Sequence, residues 1–81
     1  SPVPLADVLE QALQLLSPRI RSEQVEVFRQ VPTEATVRGD AIRLEQVLVN
    51  LLQNALDAVR DVPGPRIVIT VTAGPSAGPA S

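Results

Sequence analysis

The segment from Asp40 to Asp61 constrains the fold of this chain more than any other, because it predicts one long helix with apolar residues on two sides. Asp40 follows Gly39 and has the side chain of a helix N-cap, and the breaker sequence Pro63-Gly64-Pro65 closes the segment. At about 100° per residue, a broad apolar face carries Leu44, Val47, Leu48, Leu51, Leu52, Ala55 and Val59, and a second strip carries Ile42, Val49 and Leu56. A helix with two apolar sides is expected to be covered on both.

Between these faces runs a polar lane formed by Arg43, Asn50, Asn54 and Asp57. Asn50 and Asn54 are four residues apart, so their amides project from one side of the helix, although Asn is a poor helix former. An amide oxygen is a hard ligand of the kind that Mg²⁺ prefers, which suits a helix presenting a metal and a polyphosphate. The simpler interpretation is two amides on a solvated face, and the spacing alone leaves both interpretations open.

The rest of the sequence predicts one more helix and three strands. Apolar residues at spacings of three and four predict a helix from Leu5 to about Glu23, with a kink or a break at Pro18. The remaining patterns predict a strand over residues 25–31, a very short strand over 36–38 and a strand over 66–73. These elements indicate an α/β fold, with two helices on one face of a small, incomplete mixed sheet.

Composition excludes several kinds of chemistry. The chain has no Cys and no His, which excludes disulfides, thiol nucleophiles and a histidine phosphoacceptor within these 81 residues. All seven cationic side chains are Arg, so a phosphate loop that needs Lys is excluded as well. Phe28 is the single aromatic residue and the net charge is −2, so we expect neither nucleic-acid binding nor membrane contact.

The run from Gly39 to Ala58 closely resembles the N-box helix of bacterial sensor histidine kinases. It contains Gly-Asp, then Arg-Leu-x-Gln-Val-Leu, then Asn-Leu-Leu-x-Asn-Ala, in order and without gaps. The resemblance extends over residues 3–73 and implies a partial Bergerat-type ATPase fold, in which Val3 pairs with Val37 in a minor ribbon. We therefore expect residues 1–73 to form the N-terminal half of such a domain and residues 74–81, which contain only Gly, Pro, Ser and Ala, to form a flexible tail.

The resemblance also implies roles for residues in the polar lane. Asn54 corresponds to the Mg²⁺-binding amide, and Asn50 stands where ATP-hydrolysing relatives have a general-base Glu. An amide cannot activate water, which suits an enzyme that transfers a phosphoryl group from ATP to a protein. We expect Asn50 to be catalytic, Asn50, Asn54 and Asp57 to line the ATP and Mg²⁺ site, and Asn54 to bind the metal.

Two departures from the family pattern matter. Asp57 stands where many histidine kinases have Lys, and Asn-Ala-Leu-Asp-Ala is similar to kinases of the nitrogen-regulation and C4-dicarboxylate-sensor kind. The family's Asp-x-Gly-x-Gly box does not occur in this sequence, so we expect the chain by itself to be inactive and to bind Mg²⁺·ATP very weakly. The resemblance implies three further features: a phosphoacceptor-His dimerisation domain elsewhere, a response regulator as partner, and a cytoplasmic place in a membrane-anchored sensor.

Two alternatives remain open at this stage. One is a non-catalytic dimerisation or partner-binding module, and the other is an anti-sigma-type Ser kinase of the same fold. We also expect copies of the chain to self-associate, through the strip of Ile42, Val49 and Leu56 or through the strand at residues 67–72, because a half-domain leaves apolar surface and a strand edge uncovered.

Overall fold

The computed structural model describes residues 2–71, which form two helices and two two-stranded sheets. In chain order the elements are β1 (Pro2–Pro4), α1 (Leu5–Ser22), β2 (Glu26–Gln30), β3 (Thr36–Arg38), α2 (Ala41–Ala58) and β4 (Arg66–Thr70). The α/β class and all the predicted elements are confirmed. The predicted tail at 74–81 and the last two residues of the predicted strand at 66–73 lie outside the described residues.

The two sheets differ in the direction of their strands. β2 and β4 pair in parallel with Val27 opposite Ile67, and α2 lies in the crossover that parallel pairing requires. β1 and β3 pair antiparallel with Val3 opposite Val37, as predicted. The helices cover the face of the β2–β4 sheet that carries Val27, Ile67 and Ile69.

Helix α1 runs without a break through Pro18, so the predicted break does not occur. Pro18 has no N–H to donate to the carbonyl of Gln14, but both residues are exposed and solvent can bind that carbonyl. The helix then ends in a Schellman motif, in which the N–H of Val25 donates to the carbonyl of Ile20 at 3.0 Å. Gln24 takes the left-handed conformation in this motif, with φ 55°.

Helix α2 begins as the sequence predicts and packs into an aliphatic core. The Asp40 carboxylate accepts a hydrogen bond from the backbone N–H of Ile42 at 2.9 Å, which caps the helix. The buried core, which joins both helices to the β2–β4 sheet, consists of Leu9, Ala12, Leu16, Val25, Leu52, Leu56 and Ile67.

The predicted division of the apolar residues of α2 is partly wrong. Leu56 is completely buried and Val49 packs against the core, because α1 lies along that side of the helix. Ile42 alone of the predicted second strip is largely exposed, at 70%. On the broad face, Val47 and Leu51 are more than half exposed, because they turn away from α1 and from the β2–β4 sheet. We call Val47 and Leu51 the open flank of α2.

Candidate functional site

The three predicted site residues lie on the solvent side of α2. Asn50, Asn54 and Asp57 are exposed, and the helical period of about 100° per residue places all three within one narrow sector. Their backbone is held by Leu52 and Leu56, which are buried on the opposite side of the same turns. The helix therefore presents these polar groups on a rigid support, as a binding site requires.

Asn50 also borders a groove between the two helices. The groove has a volume of about 370 Å³, and it is lined by Leu15 from α1 and by Ile42, Glu45, Gln46, Val49, Asn50 and Gln53 from α2. Three of these side chains are amides, which can donate or accept hydrogen bonds, and the floor is aliphatic. The groove thus lies directly beside the lane of predicted site residues.

Asp57 is engaged with the other helix. Its Oδ1 accepts a hydrogen bond from Nη2 of Arg19 at 2.6 Å, and Nε of Arg19 donates to Oε2 of Glu23 at 2.9 Å. The Asp57 side chain is 61% exposed, whereas those of Arg19 and Glu23 are only about a quarter exposed. The predicted cofactor-binding carboxylate is therefore a partner of α1 in this structure.

The guanidinium group of Arg19 stays cationic in this arrangement. The hydrogen bond with Asp57 and then the one with Glu23 hold the pKa of Arg19 above its ordinary value. Sequence reasoning missed Arg19 and Glu23 as neighbours of the site. Their i, i+4 spacing predicts a pair within one helix, but Asp57 lies 38 residues further on and no local pattern indicates that contact.

The donor groups fit a metal that is held mostly by phosphates. Within residues 2–71 there is no cluster of three or more acidic side chains that could bind a metal ion by itself. The exposed amide oxygens of Asn50 and Asn54 are hard, neutral ligands. Mg²⁺ keeps most of its waters and is commonly bound through one or two protein groups and the phosphates of a substrate, so this donor set suits it.

Comparison with known proteins assigns the chain to a family. The chain is 43% identical over 61 residues to the C4-dicarboxylate transport sensor protein DctB of Rhizobium meliloti, a match covering 74% of the chain and 10% of that protein. It is 48% identical over 56 residues to the two-component sensor PprA of Pseudomonas aeruginosa, covering 68% of the chain and 6% of that protein. The catalytic domain of histidine kinase ThkA superposes on 86% of the chain with a TM-score of 0.74 and 28% identity. The chain belongs to the sensor histidine kinase family and corresponds to part of its catalytic domain.

The chain covers only part of the histidine kinase catalytic domain to which it is similar. The chain spans 48% of the ThkA catalytic-domain structure and a tenth or less of the two sensor proteins. No protein-family model matches it. Neither helix in residues 2–71 has the length and apolar character needed to cross a membrane.

Proposed function

We propose that this chain supplies the metal-facing and phosphate-facing half of the ATP-binding domain in a longer sensor histidine kinase. The observation that carries the proposal is the pair of exposed amides, Asn50 and Asn54, one turn apart on a helix anchored in the core. Two exposed Asn residues in the middle of a helix lower its stability relative to Ala. A functional role would explain why both are present. The similarity to the ThkA catalytic domain supports the same assignment.

Each amide has a distinct role in this proposal. Asn54 offers its carbonyl oxygen to Mg²⁺, and its NH₂ group remains free to donate to a phosphate oxygen. Asn50 positions the phosphates but cannot remove a proton from water, which favours transfer to a protein over hydrolysis. When bound, Mg²⁺ offsets the negative charge of the phosphates. Positioning and charge neutralisation are the main contributions that a protein makes to phosphoryl transfer.

The proposed partners follow from this role. The chain has no His, so the phosphoacceptor lies in another part of the kinase, and the phosphoryl group then passes to a response regulator. We propose a cytoplasmic position in a membrane-anchored sensor. By itself the chain presents phosphate-facing groups without an adenine-reading Asp-x-Gly-x-Gly box, so its own affinity for Mg²⁺·ATP is expected to be very weak.

The chemistry of the phosphorylated product tests the proposal. The kinase that contains this chain is incubated with Mg²⁺ and γ-labelled ATP, and the labelled protein is treated with acid and, separately, with alkali. We expect label that acid removes and alkali leaves in place, because a phosphorylated imidazole carries a labile P–N bond. The labelling is expected to require Mg²⁺.

Two other outcomes would support the alternative functions. Label that resists acid and is lost in alkali indicates a phosphorylated Ser, as expected of an anti-sigma-type kinase. Absence of labelling, in protein that retains its helical circular dichroism, indicates a non-catalytic module. Either result would contradict the proposed histidine kinase activity.

We propose in addition that copies of the 81-residue chain associate through the open flank of α2. Val47 and Leu51 are 54% and 56% exposed, so burying the rest of each contributes roughly half of the 1.5–3 kcal/mol that a fully exposed side chain of this size would give. Leu51→Asp is expected to abolish the association, because it places an unpaired charge in the contact. Sedimentation velocity at roughly 50 μM, a concentration suited to interfaces of micromolar affinity, measures the change.

The matched control for association is Gln53→Asp. Gln53 is exposed on the same helix but faces away from Val47 and Leu51, so this variant adds the same charge and should leave the oligomer unchanged. Val49→Asp does not serve this purpose, because Val49 packs against the core. A wild-type chain that sediments as a monomer would refute the proposed contact, and so would equal loss of association in both variants.

A further inference from the structure

Within the described residues, the buried contacts that hold α2 in place lie on the side opposite the polar lane. The side chains of α2 that face the core are Leu, Val and Ala, and aliphatic contacts are non-directional. Even a small rotation of α2 about its axis would change the direction in which Asn50 and Asn54 project, since both lie on the exposed side.

One polar contact restrains that rotation. Within residues 2–71, Arg19–Asp57 is the only ion pair that joins α1 to α2. Asp57 lies three residues after Asn54, which places it about 4.5 Å further along the axis. Asp57 also lies seven residues after Asn50, two turns away on nearly the same line along the helix. A restraint on the Asp57 carboxylate therefore acts on the direction in which both amides project.

The α1 side of this contact is itself held in place. Arg19 follows Leu16 by less than one turn, and Leu16 is buried in the core. Nε of Arg19 is held by Oε2 of Glu23. The other carboxylate oxygen, Oε1, is shielded from solvent and has no hydrogen-bond partner within the described residues. The planar guanidinium thus presents Nη2 to Asp57 in a preorganised direction.

From this arrangement we propose that Arg19 and Asp57 are positioning residues, which orient Asn50 and Asn54 toward the nucleotide phosphates. The inference rests on the proposed nucleotide role of the two Asn residues. It gives Asp57 a different role from a ligand of the cofactor: its Oδ1 is engaged by Arg19, and it acts through the direction of α2. An exposed ion pair adds little to stability, so the expected effect is on nucleotide binding and not on folding.

A double-mutant cycle on the intact kinase tests the inference, with KM for Mg²⁺·ATP and kcat measured separately. Arg19→Gln and Asp57→Asn are each expected to raise KM by about three- to fivefold, the limit set by the small free energy of an exposed ion pair. The double variant is expected to show the same rise as either single variant, because both substitutions break one contact. Asp57→Glu, which keeps the charge, is expected to have a KM much closer to the wild-type value than that of Asp57→Asn.

The matched control is Arg29→Gln, which breaks the exposed ion pair between Arg29 of β2 and Glu10 of α1. It removes the same kind of contact at a distance from α2 and should leave KM unchanged. Effects of Arg19→Gln and Asp57→Asn that multiply to about tenfold or more would overturn the inference, since Asp57 would then act independently of Arg19. Unchanged KM in both single variants would overturn it too.

Asn54→Ala separates failure of this inference from failure of the proposed function. If Asn54→Ala lowers activity while the ion-pair variants behave as wild type, the site stands and the positioning role is wrong. If Asn54→Ala also has wild-type kinetics, the proposed nucleotide site is wrong, and the positioning role falls with it.

Discussion

Replacing Asn54 with Ala is expected to lower autophosphorylation of the intact kinase by roughly 100-fold or more, the scale seen when one preorganised group facing developing charge is removed. The proposal assigns to this amide both a ligand for Mg²⁺ and a donor to phosphate, and Ala supplies neither. Stability should not fall, because Asn54 is exposed and Ala is the better helix former by several tenths of a kcal/mol. Phosphoryl incorporation from labelled ATP and the thermal midpoint are measured on the same preparation.

Gln53→Ala is the matched control for Asn54→Ala. Gln53 is the neighbouring exposed amide on α2, and about 100° of helix rotation separates it from Asn54. The control should keep near wild-type activity and should gain or lose little stability. Wild-type activity in Asn54→Ala would show that this amide is only a solvated surface group. A similar loss in both variants would indicate that the assay reports a general disturbance of α2.

Local patterns were sufficient to predict both helices and three of the four strands in residues 2–71, and β1 was predicted only through the family resemblance. The N-cap at Asp40 depends on one side chain and the adjacent backbone, so sequence alone predicts it. The Val3–Val37 pairing is non-local and was predicted only through resemblance to a family of known fold. Pro18 shows the limit of local rules, because core contacts of Leu16 and the partial burial of Ile20 keep the helix continuous on both sides of it.

The burial of individual apolar residues on α2 could not be predicted in the same way. A helical wheel orders side chains around an axis, but it does not contain the positions of α1 and the sheet. Leu56 and Leu51 are both apolar on the wheel, yet the structure buries the first completely and leaves the second 56% exposed. The contact between Arg19 and Asp57 has the same origin, since it depends on how two helices lie against each other.

Leu56→Ala is expected to remove a large part of the folding stability of the chain. Leu56 is the largest side chain that is wholly buried within the described residues, and it lies in the cluster that joins α1, α2 and β4. Truncating a buried Leu to Ala costs about 2–5 kcal/mol, because transfer free energy is lost and a cavity remains. A domain of this size has a total stability of roughly 5 kcal/mol, so a loss of that size leaves about 0–3 kcal/mol and, at its upper end, unfolds about half of the molecules.

Leu51→Ala on the same helix is the control, because it makes the same truncation at a side chain that is more than half exposed. Its cost is expected to stay below about 1 kcal/mol, since most of the removed surface already contacts water. Urea denaturation followed by circular dichroism gives both values, at a protein concentration low enough to dissociate any oligomer. Equal midpoints for the two variants would contradict the packing described for α2. That result would also remove the anchored support on which the placement of Asn50, Asn54 and Asp57 depends.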